Sequence, residues 1–536
     1  MRAGQNQGRH VVGIDLGTTN SVVATVDDSG AVVVLPNASG GEITPSVVYF
    51  EPDGTAVVGE EAVHATAIDP ENGVQLIKRA MGTDSPLRIR GERHTPESVS
   101  ALILRQLVSA ATGEPAGAPV STVITVPAYF GAREREATKA AGEIAGLDVL
   151  GLLDEPVAAA AHYGLLSGRD RTVLVYDLGG GTFDTTVLRI SGGAVDVVAT
   201  DGHHSLGGAD VDQRLFDVIM ERLGDQLPAD ELDQVTGDRA MLADLALGTE
   251  AAKKDLSVRT TRQVTVRTPT RRATVTVTRA DLDTACGDLF DTTAEIIDRV
   301  LRAAKLDGRR DIDDVIMVGG SSRILALSPR LTAMLGKTPQ LSDPDLAVAK
   351  GAAVRAHHLA GTAQYRALTA TVARSLGSGG ATVRRAGQVV TVTPRAVGIL
   401  IEDSFDPSGQ RSFVEHLVAA NAPLPAEVTA TRFGTIVANQ QSVRVQVYEQ
   451  AGPVPSVETE HNRRVLDGEL TGLGALPAGS VITITIRIAA DGRLAVIAHE
   501  PQSGSELVLE AYVEGVIDGP EAERLTRLVA LTKVRG

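Results

Sequence analysis

Apolar runs that end in Asp-Leu-Gly occur twice in this chain. In "VVGIDLG" the run from Val11 to Ile14 predicts a buried strand, with Asp15 entering a turn loosened by Gly17. In "VLVYDLGGGTFD" the same pattern returns: a strand from Val173 to Tyr176, then Asp177, Gly179, Gly180, Gly181, Thr182 and Asp184. Around "LALGTEAAKKDLS" the apolar positions Leu242, Leu245, Ala246, Ala252 and Leu256 recur at helical spacing, which leaves Glu250, Lys253, Lys254 and Ser257 in one polar stripe. A further apolar strand in "DDVIMVGGSSR" runs into Gly319, Gly320, Ser321, Ser322 and Arg323. Between about Gly361 and Gln388 the pattern loosens into a Gly-, Ser- and Arg-containing connector. Beyond it the period becomes two: "SVRVQVYEQ" sets Val443, Val445 and Val447 on one face, and "ITITIRIAADGRLAVIA" gives two strands around an Asp491-Gly492 turn. Short alternating strands predict a β-sandwich. The last stretch, "GPEAERLTRLVALTKVRG", is long enough for one short helix.

Composition narrows the class. A chain of 536 residues is too long for a single core and predicts two to four domains. Apolar residues make up 43% with no Trp, so a large core of Ala, Val and Leu is available and the class is globular. The formal charge of -16 argues against a nucleic-acid partner, because phosphate binding needs a basic surface. The single cysteine, Cys286, excludes internal disulfides and cysteine-based zinc clusters, and is expected as a buried small apolar residue on a helix. The opening "MRAGQNQGRH" is polar and leads into a short strand, so no secretory core or spanning segment is expected and the cytoplasm is the expected compartment.

The glycine-rich turns carry the chemistry. Glycines let the backbone come close to an anion, successive N–H groups wrap phosphate oxygens, and carboxylates at the strand ends suit a hydrated Mg²⁺. Either turn alone is compatible with an ordinary hairpin, but two facing loops would grip a triphosphate from both sides. Neither G-x-x-x-x-G-K-[ST] nor G-x-G-x-x-G occurs at these places, so this is a different nucleotide grip. The stripe from Glu250 to Ser257 offers room for a ribose and a purine, although such a stripe is more often a solvated face. The guanidinium of Arg323 is a planar group able to stack on a ring.

Taken in order, "DLGTTNS", "IKRAMG", "VITVPAYF", "DEPVAAAAHYG", "DLGGGTFD", "LGGADVD" and "VGGSSRI" resemble the ATPase domain of the heat shock protein 70 (DnaK-type) chaperones, over about Val11 to Leu359. The resemblance implies an α/β actin-like domain of two lobes, each a duplicated mixed sheet with helices, holding ATP or ADP in the cleft between them. It implies that Gly17, Thr18, Thr19 and Asn20 meet the phosphates from one side and Gly180, Gly181 and Thr182 from the other, with Asp15 and Asp177 ordering the water shell of Mg²⁺. Lys78 matches the family lysine that positions the attacking water, and Glu155, Asp184 and Thr182 match its surroundings. Glu250, Lys253, Lys254 and Ser257 match the adenosine shelf, closed by Gly320, Ser321, Ser322, Arg323 and Asp345. Pro127 and Arg135 match the switch that relays nucleotide state to the second domain. Three departures stand out: Gly131 and Ala132 replace a usual polar pair, Lys254 stands where many members carry Arg, and Leu325 replaces a common proline.

The C-terminal part resembles, more faintly, the peptide-binding sandwich of the same family, with Ile399, Ile401, Phe433, Ile436, Val443 and Val445 as pocket candidates. The expected division is residues 1–360 for the nucleotide domain, 361–390 for the linker, 391–515 for the sandwich and 516–536 for a short helix. The family's leucine-rich linker has its nearest match in "GQVVTVTP", with "ARSLG" a rival register, and the helical lid is not expected. The reading is an ATP-hydrolysing chaperone that binds extended apolar client polypeptides as a monomer. J-domain and nucleotide-exchange co-chaperones are the partners implied, with neither nucleic acid nor membrane. The alternatives are an actin-fold phosphotransferase and a nucleotide-dependent scaffold.

Overall fold

In the computed structural model the described residues are 10–115, 119–167, 169–191, 194–341, 343–361, 389–403, 411–452, 455–510, 517 and 519–536. Most of the expected linker, including the "ARSLG" register, lies outside them.

Two six-stranded sheets share one construction. In lobe I the strand Val11–Leu16 pairs in parallel with Ser121–Val126, which pairs in parallel with Asp148–Asp154. On its other side Val11–Leu16 forms an antiparallel hairpin with Asn20–Val26, followed by Val32–Leu35. Lobe II repeats each relation: Arg171–Leu178 is parallel to Asp314–Val318 and, beyond it, Gln340–Leu341, and antiparallel to Phe183–Ser191, then Ala194–His203. The parallel strands are buried on both faces by helices, which is why they read as unbroken apolar runs in the sequence. Each Asp-Leu-Gly motif therefore occupies the same place, the tip of a central hairpin.

The lobes meet across two helices, Glu155–Ser167 and Ala347–Leu359. Gly351 lets them touch, since a Cβ there would fall 1.8 Å from the carbonyl oxygen of Ala158. Three large apolar clusters fill the lobes and the contact between them. Lobe II adds the helix Arg239–Leu256, whose inward face is Leu245, Thr249, Ala252 and Leu256. This corrects the helical pattern in part: Ala246 is exposed and Leu242 only half-buried, because the buried stripe runs through Thr249, a polar residue that satisfies its hydroxyl on Leu245 O at 2.8 Å. Cys286 is buried as expected, but sits at the junction of Arg279–Ala285 and Gly287–Ala304 rather than within a helix.

The sandwich comprises two four-stranded antiparallel sheets. One runs Ser412–Val418, Val397–Glu402, Ser442–Gln450, Asn462–Thr471; the other Ala426–Gly434, Val481–Ile488, Leu494–Glu500, Ser505–Glu510. Alternate residues of both sheets form one core. Val389–Val390, from "GQVVTVTP", adds in parallel to the edge strand Ala194–His203 of lobe II. After the sandwich, the helix Gly519–Leu531 returns to lobe I, and Val534–Arg535 pairs in parallel with Ala56–Val58. Among the described residues no helix is long and apolar enough to cross a membrane.

Candidate functional site

The two hairpin tips face each other in contact. A Cβ at Gly180 would lie 2.1 Å from the Thr19 hydroxyl, and one at Gly181 would lie 2.2 Å from the Thr18 methyl, so only glycine permits this approach. Gly208 and Ala209, from the "LGGADVD" stretch, donate their amides to the carbonyls of Gly179 at 3.0 Å and Gly180 at 2.7 Å, bracing the second loop. Thr18 and Thr182 are buried, Thr19 half-buried, and Asn20 exposed at the start of its strand. Arg79 closes the cleft from lobe I: Nε donates to Gly181 O at 2.9 Å and a guanidinium nitrogen meets Asp210 at 2.5 Å.

Behind the loops lies a buried charge cluster. Asp15 and Asp177, at equivalent strand ends, are joined by Asp184 and Glu155, and a single ammonium, Lys78, only 4% exposed, sits among them. Lys78 Nζ donates to Leu16 O at 2.6 Å and pairs with Glu155. Thr125 donates to Asp15 at 3.1 Å, and the Tyr129 amide to Asp184 at 3.3 Å. Burial, then the neighbouring Glu155 carboxylate, pushes the Asp15 carboxyl up to about 7. Asp177 and Asp184 are driven up by the same two causes in the same order. Four acids against one base leave a deficit of positive charge, so the site favours an added cation. Among the described residues no three side chains form a metal cage; a divalent ion here fits only as a hydrated or phosphate-bound species, which is how Mg²⁺ is usually held.

A third group converges from lobe II. A Cβ at Gly208 would lie 2.4 Å from Ser321 Oγ, 3.1 Å from Lys253 Nζ and 3.5 Å from Gly180 Cα, so three separate segments meet at one point. Lys253 donates to Gly208 O at 3.0 Å and to Asp212 at 2.6 Å. Ser322 and Ser321 are buried in the short turn Gly320–Arg323, Ser322 accepting the Leu178 amide at 3.3 Å. Arg323 pairs with Asp345. The remaining shelf candidates sit further out: Glu250 and Lys254 pair with each other at 2.7 Å, Lys254 well exposed, and Ser257 lies just past the helix end.

The segment Pro127–Arg135 joins the cleft to the sandwich. Pro127 is buried, and its carbonyl accepts the Phe130 amide at 3.1 Å. Arg135 donates to Phe130 O at 2.8 Å and to Asp154 at 2.5 Å, the residue next to Glu155. On the other side Arg135 touches the sandwich turn, where a Cβ at Gly492 would lie 2.9 Å from its Cδ. Gly131 explains the unusual pair after "PAYF": a Cβ there would fall 2.2 Å from the Glu449 carboxylate, and the Ala132 amide donates to that carboxylate at 3.1 Å. Arg463 grips Glu134 at 2.8 and 3.0 Å and reaches Glu449 at 3.2 Å. Burial alone would raise Glu134, but the guanidiniums of Arg395 and Arg463 outweigh it and hold the carboxyl below its ordinary range. Sequence reasoning gave no role to Arg79, Gly208 or this acid–base cluster, although "IKRAMG", "LGGADVD" and the Gly131-Ala132 departure pointed towards them.

Of the pocket candidates, Ile399 and Val445 are buried in the sandwich core, and Ile401, Phe433 and Val443 pack half-buried against it. Ile436 stands apart on a turn, 55% exposed, beside the exposed Val437.

Comparison with known proteins adds an independent result. The sequence model of the family described as "Hsp70 protein" matches residues 11–87 and 83–528. The chaperone protein DnaK of Thermotoga neapolitana is 38% identical, over 92% of this chain and 79% of its own. Those of Thermosipho africanus and Deinococcus deserti are 36% and 35% identical, covering 94% and 96% of this chain and 79% and 81% of theirs.

Proposed function

This chain belongs to the Hsp70 family, and on that premise we propose how its own residues do the work of an ATP-dependent chaperone. It is a nucleotide-binding ATPase of the DnaK type that takes up unfolded client polypeptides. The phosphotransferase and scaffold alternatives are not favoured.

The residue roles are our reading. The β- and γ-phosphates lie between Thr18, Thr19 and Gly180–Thr182, and Lys253 and Ser321 lead towards the nucleoside. Gly17, Asn20, Glu250, Lys254, Ser257, Gly320, Ser322, Arg323 and Asp345 complete the nucleotide's surroundings. Asp15 and Asp177 hold the water shell of Mg²⁺, which when bound neutralises phosphate charge. Lys78, fixed by Leu16 O and Glu155, holds the attacking water in line, with Glu155, Asp184 and Thr182 around it. Placing a buried ammonium where charge develops stabilises the transferring group without reorganisation. Pro127 and Arg135 carry the state of the cleft to the sandwich through Asp154 and the Asp491-Gly492 turn. Peptide binds at the sandwich by backbone hydrogen bonds, with side-chain selectivity from the Ile401, Phe433, Ile436 and Val443 region. The reading further places the protein in the cytoplasm as a monomer served by J-domain and nucleotide-exchange co-chaperones, with the domain limits 1–360, 361–390, 391–515 and 516–536.

The observation that carries it is the lone buried Lys78 among four carboxylates behind two touching glycine loops. ATPase rate with and without an extended apolar peptide, in the intact chain and in Lys78→Ala, is the test. Peptide-stimulated turnover that disappears in the variant supports the reading; turnover indifferent to both peptide and Lys78 overturns it.

A further inference from the structure

A hairpin of lobe II departs from the chain's acidic balance. From Val258 to Ala280 there is no Asp or Glu, and Arg259, Arg262, Arg267, Arg271, Arg272 and Arg279 stand among repeated threonines, in a chain whose formal charge is -16. The segment folds as two antiparallel strands, Thr261–Arg267 and Arg272–Thr278, which form a sheet of their own. One face is apolar: Val264, Val266, Ala273, Val275 and Val277 belong to the lobe II core. The other face is polar. There the register sets Arg267 opposite Arg272 and, two residues along, Thr265 opposite Thr274, whose hydroxyls lie 3.2 Å apart.

Three of these arginines are accounted for. Arg262 pairs with Asp255 at 3.1 Å, Arg271 with Glu231 at 2.8 Å, and Arg279 donates to Leu256 O and Arg259 O at 3.0 and 2.8 Å. Arg267 and Arg272 are exposed, Thr274 between buried neighbours is half-exposed, and neither arginine has an acidic partner among the described residues. Like charges directly opposite each other across a ladder repel, so this face lacks an anion. Basic residues on a free edge also deter edge-to-edge pairing, but that purpose does not require two of them face to face. The edge beside them is open as well. The Thr268 amide donates to Arg271 O at 2.9 Å, which makes the Arg267–Arg272 and Thr265–Thr274 rows the ones whose backbone groups point away from the partner strand. Thr276, in the same phase, has its carbonyl bonded by Arg222 at 2.7 Å, whereas among the described residues nothing bonds those of Arg272 and Thr274. An open, extended edge is what a groove that reads a peptide as a strand can take. Arg271 and Arg272 stand three and two residues before Thr274. A Ser/Thr kinase with an acidic substrate groove selects by such charges immediately ahead of the hydroxyl.

We propose that Thr274 is a phosphorylation site for an arginine-directed Ser/Thr protein kinase, and that Arg267 and Arg272 clamp the phosphate once it is attached. In the transfer, Thr274 Oγ1 attacks the γ-phosphorus of the kinase's ATP. The new Oγ1–P bond forms as the bond from that phosphorus to the bridging oxygen of the β-phosphate breaks, ADP leaves, and the hydroxyl proton passes to the kinase's carboxylate base. The product carries a charge of about -1.5 to -2 and three strong acceptor oxygens. Same-face neighbours along a strand are about 7 Å apart and opposed side chains about 5 Å, so both guanidiniums reach a phosphate on Thr274. The hairpin then exchanges a repulsive pair for charge-assisted hydrogen bonds.

The test uses the full chain, MgATP and the catalytic subunit of cyclic-AMP-dependent protein kinase as the arginine-directed probe. Fragment mass spectrometry should find a phosphoryl group on Thr274, and the isosteric Thr274→Val should lose it. Phosphorus NMR then reads the clamp: the phosphate should titrate at about 5, against an ordinary value of about 6, and return towards about 6 in Arg267→Gln, a change that leaves the two residues ahead of the hydroxyl intact. Phosphate on Thr274 only after the chain is unfolded, labelling confined to other hydroxyls, or equal labelling without added kinase overturns the site. A titration unmoved by Arg267→Gln overturns the clamp. Site mapping on the parent alone decides the first question if Thr274→Val does not fold, and neither readout depends on nucleotide in the cleft.

Discussion

Lys78 is the residue on which hydrolysis turns. In Lys78→Ala the ammonium is lost while the glycine loops stay, so single-turnover hydrolysis should fall by about 10²–10³-fold, the usual cost of removing one charge-stabilising group, with ATP affinity by calorimetry much less affected. The carboxylates around it make an opposite demand on stability. Folded Asp15 titrates near 7 against an ordinary 3.8. Between those values the folded state holds a proton that the unfolded chain has released, so this group favours folding at low pH and opposes it as pH rises through 7. Asp15→Asn should therefore melt close to the parent only near pH 3.8 and gain on it steadily from there to about pH 7, while losing activity. Magnesium and ADP should narrow that gap by supplying the missing positive charge; a gap that shrinks as pH rises contradicts the argument.

At the level of elements, the junction between lobe I and the sandwich depends on backbone approach at Gly131. A methyl group there collides with the buried Glu449 carboxylate, which is itself held by Arg463 and the Ala132 amide. Gly131→Ala should cost about 1–3 kcal/mol of docking through overpacking and a displaced buried charge, read as lost peptide stimulation of turnover. Much of the surrounding fold was legible beforehand. The two strand–Asp-Leu-Gly hairpins and the Asp491-Gly492 hairpin follow from local period and turn chemistry. The junction was not, because Glu449, Arg463 and Gly131 are far apart in sequence and each reads locally as an ordinary strand or turn residue. The inward face of Arg239–Leu256 was misjudged for a related reason: Thr249 is polar by type, yet its hydroxyl bonds back to Leu245 O and so tolerates burial. The docking of Leu525 and Val529 likewise depends on a partner surface that no window of the sequence displays.

As a whole molecule, the protein is two homologous sheets around a charged cleft with a sandwich fastened to one of them. The contacts at that seam are largely buried, so salt should screen them little. Raising ionic strength from about 0.05 to 0.5 M should leave the compact envelope unchanged in scattering, whereas exposed pairs such as Arg239–Glu71 contribute little at any salt. Cys286 bears on the entire chain's behaviour towards reagents. Burial pushes this only thiol up to about 12, so almost none is present as thiolate at neutral pH. The folded protein should be inert to alkylating agents and peroxide alike, and any cysteine engineered onto its surface would be the sole place for a dye or spin probe to attach.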